Sequence, residues 1–468
     1  MRDKLLPDMA TALREAGLAD GMTISFHHHM RNGDHVLNAV LAEAAKQGVK
    51  NLTLLSSSIF PVHAPLIEHI KNGVVTELDT NYMSGPVAAA VSRGLLEKPV
   101  MFRSHGGRPR AIREGSRVID IAFVAAPTVD PMGNISGSLG PAACGSLGYA
   151  VPDAECAKTV IAVTDNLIDT TLESVSIPHD RVTHVVKMDS IGDPKGIVSG
   201  STSMTRDPVA LAIARKAQAA IRASGLLKDG FNFQTGAGGA SLATAQYLRE
   251  DMIRMKLKGG FLLGGITKYL VDMLEEGLFD SIYDVQCFDL AAVESIRKNA
   301  AHHEISADTY ASPRQKSCCV DFLDTVLLGA SEIDVNFNVN VHTDSNGMII
   351  GGSGGHNDAA AGAAMTIIVA PLIRARLPIV VDRCTTITTP GNTVDVLVTE
   401  RGIAVNPARP DLADRFRDAK LDVYSIEELR AMALKIAGEP RKVEFTDRIV
   451  GTVEYRDGTI IDSLRAPA

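Results

Sequence analysis

Short apolar runs alternate with helical stretches along most of the chain. Met22–Phe26 has the pattern of a buried strand, Asn38–Ala45 has helical composition, and Asn51–Leu55 returns to a strand pattern. Several later runs are apolar on both faces, which is typical of a parallel sheet covered by helices. The pattern therefore predicts an α/β fold with mostly parallel sheets flanked by helices. Further strands are predicted at Val74–Leu78, Pro99–Phe102, Val118–Val124, Thr159–Val163, Val182–Val186, Phe261–Leu263, Ile282–Val285, Ile333–Phe337, Thr366–Val369, Pro378–Val381 and Val394–Val398.

A glycine-bounded turn near the middle of the chain predicts two domains. The helical stretch Pro208–Arg222 ends in Gly225–Gly230, and a new strand with its own glycine turn opens at Phe231–Thr235. This layout repeats the start of the chain. We expect an N-terminal α/β domain over residues 1–226 and a similar C-terminal α/β domain over residues 227–468.

Weak internal similarity supports one fold used twice. Asp130–Gly137 and Asp344–Gly351 share aspartate, glycine, isoleucine and glycine in register. Two further pairs keep the same order along the chain, and chance similarity between α/β segments is the competing explanation. The pairs are Ser25–His27 with Asn232–Gln234, and Ala162–Asp165 with Leu397–Glu400.

Composition narrows the class of protein. With 45% hydrophobic and 22% charged residues, the 468-residue chain has the composition of a globular protein, and two domains of ordinary size would each bury a core. The net charge of −8 argues against a nucleic-acid partner, which needs a basic face. Neither a long apolar span nor a basic-then-apolar leader at Met1–Lys4 is present, so no membrane association and a cytoplasmic location are expected.

The six cysteines do not form a recognisable ligand set. They are scattered without a C-x-x-C pair, so the spacing of zinc ribbons and thioredoxin-like redox sites is missing. We expect reduced thiols in the core and no metal site.

The stretch Gly352–Asp358 is the strongest candidate for chemistry. It follows the apolar run Met348–Ile350 and precedes a run of small residues, which predicts a strand, a glycine turn and a helix start. Such a turn can aim backbone N–H groups at an anion or a developing oxyanion. We assign Ser353, Gly354 and Gly355 to the catalytic set, although a glycine turn can also serve only to reverse the chain.

A polar cluster at the end of the first strand is a candidate anion site. It contains the three histidines His27–His29 together with Arg31 and Asn32. Consecutive histidines rarely aim at one metal ion, whereas imidazoles and a guanidinium can donate to carboxylates. We assign all five residues to substrate binding; a polar helix cap with one core histidine is the alternative interpretation.

The densest basic cluster of this acidic chain lies in Arg103–Arg117. It suits a phosphate or polycarboxylate ligand, and we assign Arg108 and Arg110 to substrate binding. A solvated loop whose arginines pair with Glu114 or other acids is the alternative.

Nucleotide-binding and hydrolase motifs are absent from the sequence. The glycine turns do not give G-x-G-x-x-G followed by an acidic residue, and neither G-x-x-x-x-G-K-[ST] nor G-x-S-x-G occurs. The sequence therefore does not favour a dinucleotide-binding protein, a P-loop protein or a serine hydrolase.

Four motifs taken together resemble a known family. The chain resembles the alpha subunits of citrate lyase, which act as citrate CoA-transferases within the wider CoA-transferase superfamily. The resemblance covers nearly the whole chain. Asp130 with Gly133-Asn134 also resembles the D-x-x-G-N element of CoA-transferases, and Gly352–Asp358 their G-x-G-G-x-x-D turn. The four motifs are Ser25–Asp34, Ser104–Arg108, Phe233–Gly239 and Gly351–Asp358.

The resemblance implies an active site between two parallel α/β domains. It also implies exchange of acetate for citrate on a thioester, in which acetyl on the CoA-like arm of an acyl carrier protein gives citryl on the same arm. The implied partners are citrate, acetate, the carrier protein (gamma) and lyase (beta) subunits and further copies of the chain, with no tightly bound cofactor. Implied contacts to CoA or the carrier arm are Gly236, Gly238, Gly239, Gly352, His356, Asn357 and Asp358.

One departure from the superfamily bears on the mechanism. Many CoA-transferases carry a nucleophilic glutamate where this chain has Gly265–Lys268, so we expect direct transfer without a glutamyl intermediate and include Lys268 in the catalytic set. Glu275, Glu276 or Glu304 would replace that glutamate in another alignment. Two alternatives stay open, a stand-alone transferase using another hydroxy acid such as citramalate, and a non-catalytic scaffold subunit.

Overall fold

The computed structural model describes residues 4–198, 205–236 and 238–468. Its first half alternates strands and helices as the apolar pattern predicts. The strands are β1 (Leu5–Leu6), β2 (Thr23–Phe26), β3 (Leu52–Ser56), β4 (Val75–Thr80), β5 (Val100–Phe102), β6 (Ile121–Ala125), β7 (Thr128–Val129), β8 (Ile135–Ser136), β9 (Thr159–Thr164) and β10 (His184–Lys187). The helices are α1 (Met9–Glu15), α2 (Val36–Lys46), α3 (Leu66–Lys71), α4 (Gly85–Ser92), α5 (Gly107–Glu114), α6 (Val151–Cys156) and α7 (Pro208–Ser224).

The second half repeats this alternation and ends in a long hairpin. Its strands are β11 (Phe233–Thr235), β12 (Gly259–Ile266), β13 (Phe279–Cys287), β14 (His302–Glu304), β15 (Thr325–Gly329), β16 (Glu332–Asp334), β17 (Val339–Asn340), β18 (Met365–Val369), β19 (Ile373–Arg374), β20 (Leu377–Pro378), β21 (Val380–Val381), β22 (Val396–Val398), β23 (Ile403–Val405), β24 (Val423–Tyr424), β25 (Phe445–Glu454) and β26 (Ile460–Pro467). Its helices are α8 (Gly239–Met255), α9 (Lys268–Glu275), α10 (Leu290–Lys298), α11 (Ala307–Ala311), α12 (His356–Gly362), α13 (Pro410–Asp418) and α14 (Ile426–Ala437).

Two large, mostly parallel sheets form the framework. The first has the order β1-β10-β9-β6-β2-β3-β4-β5-β25-β26 and the second β14-β13-β12-β11-β15-β18-β22-β23-β24. Antiparallel pairs occur between β25 and β26 and between β22 and β23. The central strands are buried on both faces, as in the five consecutive buried residues of β6 and of β18. The predicted α/β fold class is confirmed.

The two sheets share one strand order. In the first sheet the order is β10-β9-β6-β2-β3-β4-β5. Strands β6, β9 and β10 therefore lie on one side of β2, and strands β3, β4 and β5 lie on its other side. In the second, β22-β18-β15-β11-β12-β13-β14 follows the same order around β11. The chain therefore uses one topology twice.

By position between strands, the loop that corresponds to Asp130–Asn134 is Asp334–Asn338. The Asp344 segment indicated by the sequence forms a similar loop, in which the Asp344 carboxylate accepts from the Met348 N–H at 2.9 Å, but it lies later in the chain. The Asp130 carboxylate accepts from the backbone N–H of Asn134 at 2.9 Å, and the Asp334 carboxylate accepts from that of Asn338 at 3.0 Å. Both loops connect equivalent short strands, β7 to β8 and β16 to β17. The match is hidden in the sequence because Phe337, at a left-handed φ of 64°, occupies the place of Gly133, at 96°.

The C-terminal hairpin adds to the first sheet. Gly451 of β25 pairs in parallel with Val100 of β5, so residues 445–467 extend the sheet of the N-terminal half. Glu454 of β25 accepts hydrogen bonds from Arg103 and Arg110 and so ties the hairpin down. The division at residues 226 and 227 stays a prediction. Within the described ranges, no helix is long and apolar enough to cross a membrane.

Candidate active site

Loops from both halves meet beyond the carboxyl ends of β4 and β5. The backbone N–H of His105 donates to the carbonyl of Gly354 at 2.8 Å, and the N–H of Gly354 donates to the carbonyl of Asn81 at 3.1 Å. Ligands of parallel α/β proteins bind at this end of the strands. The glycine turn predicted to carry chemistry is thus docked against the first sheet.

Glycine is required in this turn because the two backbones approach closely. A Cβ on Gly352 would lie 2.3 Å from the carbonyl oxygen of Asn81, and one on Gly355 would lie 2.3 Å from the hydroxyl of Tyr310. Gly354 has a left-handed φ of 51°. The glycines therefore shape the junction between the halves, whatever else they do.

The structure separates the roles of the three predicted catalytic residues in the turn. The N–H of Gly354 is occupied by Asn81, so Gly354 is a turn residue and is not kept as an oxyanion donor. The Ser353 side chain is buried, and its Oγ has no hydrogen-bond partner among the described residues. A buried, unpaired hydroxyl is costly unless a ligand pairs with it, so Ser353 and Gly355 remain candidates.

Asp358 links the glycine turn to the Ser104–Arg108 segment. Its fully buried carboxylate accepts from the Ser104 hydroxyl at 2.8 Å and from the Gly106 N–H at 2.9 Å, near the start of α5. Burial raises the pKa of Asp358 to about 6, although Arg456 and these hydrogen bonds favour the charged form. The predicted carrier-arm residue is therefore a contact between the two halves.

We expect the raised pKa of Asp358 to appear in the pH dependence of stability. Between pH 3.8 and about pH 6, this carboxyl is protonated in the folded protein but ionised in the unfolded chain. Its contribution to the free energy of unfolding therefore falls as pH rises through that range. The stability of the native protein relative to Asp358→Asn should drop by about 2 to 3 kcal/mol between pH 4 and pH 7. Urea unfolding of both proteins measures this; a difference independent of pH would contradict it.

His356 and Asn357 also hold the turn in place. His356 Nδ1 lies 2.7 Å from the Thr389 hydroxyl and Nε2 lies 2.8 Å from the Gly329 carbonyl, and burial lowers its pKa to about 4. Asn357 donates to the Thr388 carbonyl at 3.2 Å. The resemblance implied that both residues contact the carrier arm. In the structure their side chains bond to other parts of the protein instead.

The three consecutive histidines have three different environments. His27 Nε2 lies 2.9 Å from the buried carboxylate of Asp153, and His29 Nε2 lies 2.8 Å from the carbonyl of Ala125. Burial lowers the pKa of His29 to about 4. His27 and His29 are therefore core residues, which leaves His28 as the substrate-binding candidate.

His28 stands in a stack of rings at the junction of the halves. Its ring centroid lies 4.6 Å from that of Tyr149 and 5.2 Å from that of His105, and its Nδ1 lies 2.6 Å from the Ser57 hydroxyl. Burial, reinforced by His105 and Arg31, holds the pKa of His28 well below its ordinary 6.5. Burial also lowers the pKa of His105 to about 3, so both imidazoles are neutral.

Arg31 is a partly buried cation without a carboxylate partner in the described parts of the chain. It adopts a left-handed φ of 50°, which is rare for a residue with a side chain. Its guanidinium lies 4.5 Å from the ring centroid of Phe288 and 5.6 Å from that of Phe60. Burial lowers its pKa, with Tyr82 and Tyr149 partly offsetting this effect. The structure therefore preserves Arg31 as an anion-binding candidate.

A cavity of about 620 Å³ opens beside Arg31. The predicted binder Asn32 lies on its wall, where its side-chain oxygen accepts from the Val62 N–H at 3.0 Å. The side chains of His35 and Lys195, which also carry nitrogen atoms, line the same cavity. The lining includes Arg31, Asn32, His35, Phe60, Asp193 and Lys195.

Arg108 and Arg110 are occupied by ion pairs. Arg108 donates to both oxygens of the Asp153 carboxylate at 2.5 and 2.6 Å, in a contact buried from solvent. Arg110 donates to Glu114 at 2.6 Å and to Glu454 at 2.5 Å. Removing one member of such a pair strands a buried charge, so these arginines serve the fold, and we withdraw both from the substrate site.

Lys268 lies at the exposed start of α9. Its ammonium pairs with Asp272 at 2.5 Å, and its side chain is 62% exposed. The structure shows no contact between it and the glycine turn, so Lys268 is withdrawn from the catalytic set.

The alternative glutamates occupy different places. Glu276 pairs with Arg249 at 2.6 Å on the surface, and Glu275 is exposed. Glu304 accepts from the backbone N–H of Leu147 in the first half, and burial raises its pKa. The carboxylate of Glu304 is thus already bonded.

Gly236, Gly238 and Gly239 line a second cavity of about 620 Å³ at the carboxyl end of the second sheet. Gly238 and Gly239 open the long helix α8, whose first N–H groups have no capping side chain. The cavity also includes Val369, Pro371 and Arg374.

Comparison with known proteins identifies the family. The sequence model described as "Citrate lyase, alpha subunit (CitF)" matches residues 2–466. The citrate lyase alpha chain of Escherichia coli strain K12 is 50% identical over 98% of this chain and 90% of its own length. That of Klebsiella pneumoniae is 48% identical over 99% and 91%. The chain belongs to the citrate lyase alpha subunit family.

Solved structures agree with this assignment. A Streptococcus mutans structure, described as the alpha subunit of citrate lyase in complex with citrate, is 49% identical and superposes with a TM-score of 0.97. It covers 99% of this chain and 91% of the other. Membership of the citrate lyase alpha subunit family makes the chain an enzyme, a transferase.

More distant structures share the fold alone. A malonate decarboxylase alpha subunit from Acinetobacter baumannii is 16% identical over 93% of both chains, with a TM-score of 0.66. RipA from Yersinia pestis is 18% identical over 93% of this chain and 97% of its own, with a TM-score of 0.65.

Sequence reasoning missed several residues that surround Arg31 and His28 in this citrate lyase alpha subunit family member. Tyr149, Phe60 and Phe288 form the ring walls, and Ser57 contacts His28. The polar run Ser56–Ser58 at the end of a predicted strand was the one available signal for Ser57. The aromatic residues lie in loops far apart in the chain, and nothing in the sequence joins them.

Proposed function

We propose that the chain exchanges acetate for citrate on a thioester, converting acetyl on the CoA-like arm of an acyl carrier protein to citryl on the same arm. Arg31 carries this proposal. It is a cation without a carboxylate partner in the described structure, at the wall of a cavity that Phe60 also lines. A guanidinium binds a carboxylate through two parallel hydrogen bonds. The citrate-bound relative supports citrate as the acid.

The proposed citrate site has two cationic side chains, Arg31 and Lys195, and one acidic side chain, Asp193, on its wall. Arg31 receives one carboxylate, and Lys195 and Asn32 on the same wall receive the others. Phe60 packs against Tyr82 at 5.5 Å between ring centroids, and Tyr82 adjoins Gly352. The ring contacts therefore connect the Arg31 cavity to the glycine turn, where the thioester is placed.

The neutral ring stack suits the transfer. Since burial keeps His28 and His105 uncharged, they do not compete with Arg31 for the citrate carboxylates. The Ser353 hydroxyl and the Gly355 N–H are our proposed donors to the thioester oxygen, which gains negative charge on attack.

The proposed mechanism is direct. A citrate carboxylate oxygen attacks the acetyl carbonyl, the carbon–sulfur bond breaks, and the arm leaves as thiolate. The thiolate then attacks the citryl carbonyl of the mixed anhydride, and acetate departs with the bridging oxygen. The absence of a glutamate from Gly265–Lys268 and the bonded state of Glu304 support this route.

Oxygen labelling tests this mechanism and the function together. In a single turnover with enzyme in excess over acetyl-CoA, citrate labelled with ¹⁸O in its carboxylates should place one ¹⁸O in the released acetate. A glutamyl intermediate would give unlabelled acetate in the first turnover, because its oxygen comes from the protein. Acetate mass is read by mass spectrometry, and a reaction without citrate measures hydrolysis. Absence of citrate-dependent acetate release from both acetyl-CoA and an acetylated carrier protein would contradict the function itself.

We further propose the assembly and location that accompany this activity. The carrier arm enters the cavity lined by Gly236, Gly238 and Gly239, and no tightly bound cofactor is needed because the arm is a substrate. The carrier and lyase subunits and further copies of the chain are the proposed partners. The six free thiols suit a reducing, cytoplasmic compartment.

A further inference from the structure

Two residues at the end of β13, Gln286 within the strand and Phe288 just after it, connect the second half to the His28–Arg31 segment. The Gln286 side chain donates to the carbonyl of His28 at 2.8 Å, and the Phe288 ring lies 4.5 Å from the Arg31 guanidinium. The end of β13 therefore contacts the proposed citrate site through one hydrogen bond and one ring.

The Phe288 ring occupies a fixed slot. Its backbone N–H donates to the carbonyl of Ile266 at 2.8 Å. A Cβ on Gly265 would lie 2.2 Å from a Phe288 ring carbon, so the missing side chain of Gly265 makes room for the ring. The register of β12 against β13 also shifts between Gly264 and Gly265. The backbone is thus arranged to admit the ring at this place.

Arg31 needs such support. A left-handed φ costs free energy for any residue with a side chain and persists only where its surroundings hold it. The Arg31 N–H donates to the His28 carbonyl at 2.9 Å, which fixes its backbone. The guanidinium itself has ring contacts and no carboxylate partner in the described part of the protein. A ring face within about 6 Å attracts a cation without neutralising it.

We propose that Phe288 is a positioning residue for citrate binding. Its ring face holds the Arg31 guanidinium towards the cavity and leaves its N–H groups free for a carboxylate, so the second half sets citrate affinity without touching citrate. This inference rests on the proposed function, in which Arg31 binds the acid. An acidic partner would orient Arg31 equally well but would compete with the substrate.

The test compares Phe288→Leu, Phe288→Tyr and a matched control, Phe261→Leu. Phe261 is a partly buried ring on β12 that packs on Tyr283 at 5.2 Å. Phe288→Leu keeps apolar volume but loses the ring face, so the KM for citrate should rise about tenfold. The kcat and the KM for the acetyl donor should stay within about twofold. Phe288→Tyr and Phe261→Leu should match the native protein, and thermal unfolding checks that each variant folds.

Coupling to Arg31 separates positioning from general packing. In an Arg31→Gln background, adding Phe288→Leu should cause no further rise in the KM for citrate. An unchanged KM in Phe288→Leu, an equal loss in Phe288→Tyr, or a full tenfold effect in the Arg31→Gln background would each overturn the inference. If the native protein releases no acetate from either acetyl-CoA or an acetylated carrier protein, the proposed function fails, and calorimetric citrate binding by the same variants decides the role of Phe288. No citrate binding by the native protein would overturn this role as well.

Discussion

Arg31→Gln should raise the KM for citrate by about 100-fold or more. Glutamine keeps a polar side chain that can donate a hydrogen bond, but it is shorter and removes the charge that faces the cavity. Losing one partner of a desolvated, hydrogen-bonded charge pair costs about 2 to 5 kcal/mol. Because this interaction is made with citrate before and during transfer, kcat should fall much less than kcat/KM. Citrate-dependent acetate release under steady-state conditions measures both.

Arg181→Gln is the matched control for Arg31→Gln. Arg181 is 48% exposed and lies 3.9 Å from Asp180, in a weak surface pair. Its loss should leave the KM for citrate unchanged. Equal effects of the two substitutions, or a native KM in Arg31→Gln, would remove Arg31 from the citrate site.

Gly352→Ala should lower the free energy of unfolding by about 3 kcal/mol or more and cut kcat/KM at least 100-fold. The new Cβ would lie 2.3 Å from the Asn81 carbonyl oxygen and 2.8 Å from the Tyr82 Cα. Both are backbone atoms, so the glycine turn and the first sheet must move apart, which a well-packed junction resists. A displacement of about 1 Å at a reacting site costs about 100-fold in rate.

Gly329→Ala isolates the effect of the close approach. A Cβ on Gly329 would meet no heavy atom within 4 Å, and neither glycine has a left-handed φ. The stability of Gly329→Ala should therefore stay within about 0.5 kcal/mol of the native protein. Chemical denaturation gives the comparison, and a native stability of Gly352→Ala would show that the turn is not docked as described.

The sequence indicated the segments at the junction of the halves but not their contact. Glycine spacing singled out Gly352–Asp358, whereas an active site between the halves was implied by the family resemblance alone. The structure joins this turn to Ser104–Arg108 through the Asp358 carboxylate and the His105 N–H. The strand predicted at Met348–Ile350 does not form; Ile349 makes only an isolated bridge with Thr343.

The arginine cluster shows what local sequence lacks. Arg108 pairs with Asp153, which is 45 residues away, and Arg110 pairs with Glu454, which is 344 residues away. An arginine is available to bind substrate only if no carboxylate of the protein pairs with it, and the tertiary fold determines which arginines are paired. Arg31 looked no different in the sequence, yet among the described residues no acid pairs with it.

The histidine run shows a similar limit. His27, His28 and His29 share one motif, but Asp153 takes the first, the Ala125 carbonyl takes the third, and only His28 joins the ring stack. Their directions depend on where the chain turns after β2. The position of the Phe288 ring could likewise not be predicted from the sequence, because the space for the ring depends on Gly265 in the neighbouring strand.

Intact-mass spectrometry of the thioester product tests the central claim most directly. The purified chain is mixed with acetyl-CoA and citrate, and in parallel with an acetylated carrier protein and citrate; citramalate, succinate and acid-free reactions serve as controls. The account predicts a citryl thioester that depends on citrate and on the enzyme and is much reduced in Arg31→Gln. No citryl thioester with either acetyl donor would contradict it, and product from citramalate alone would assign a different acid to the site.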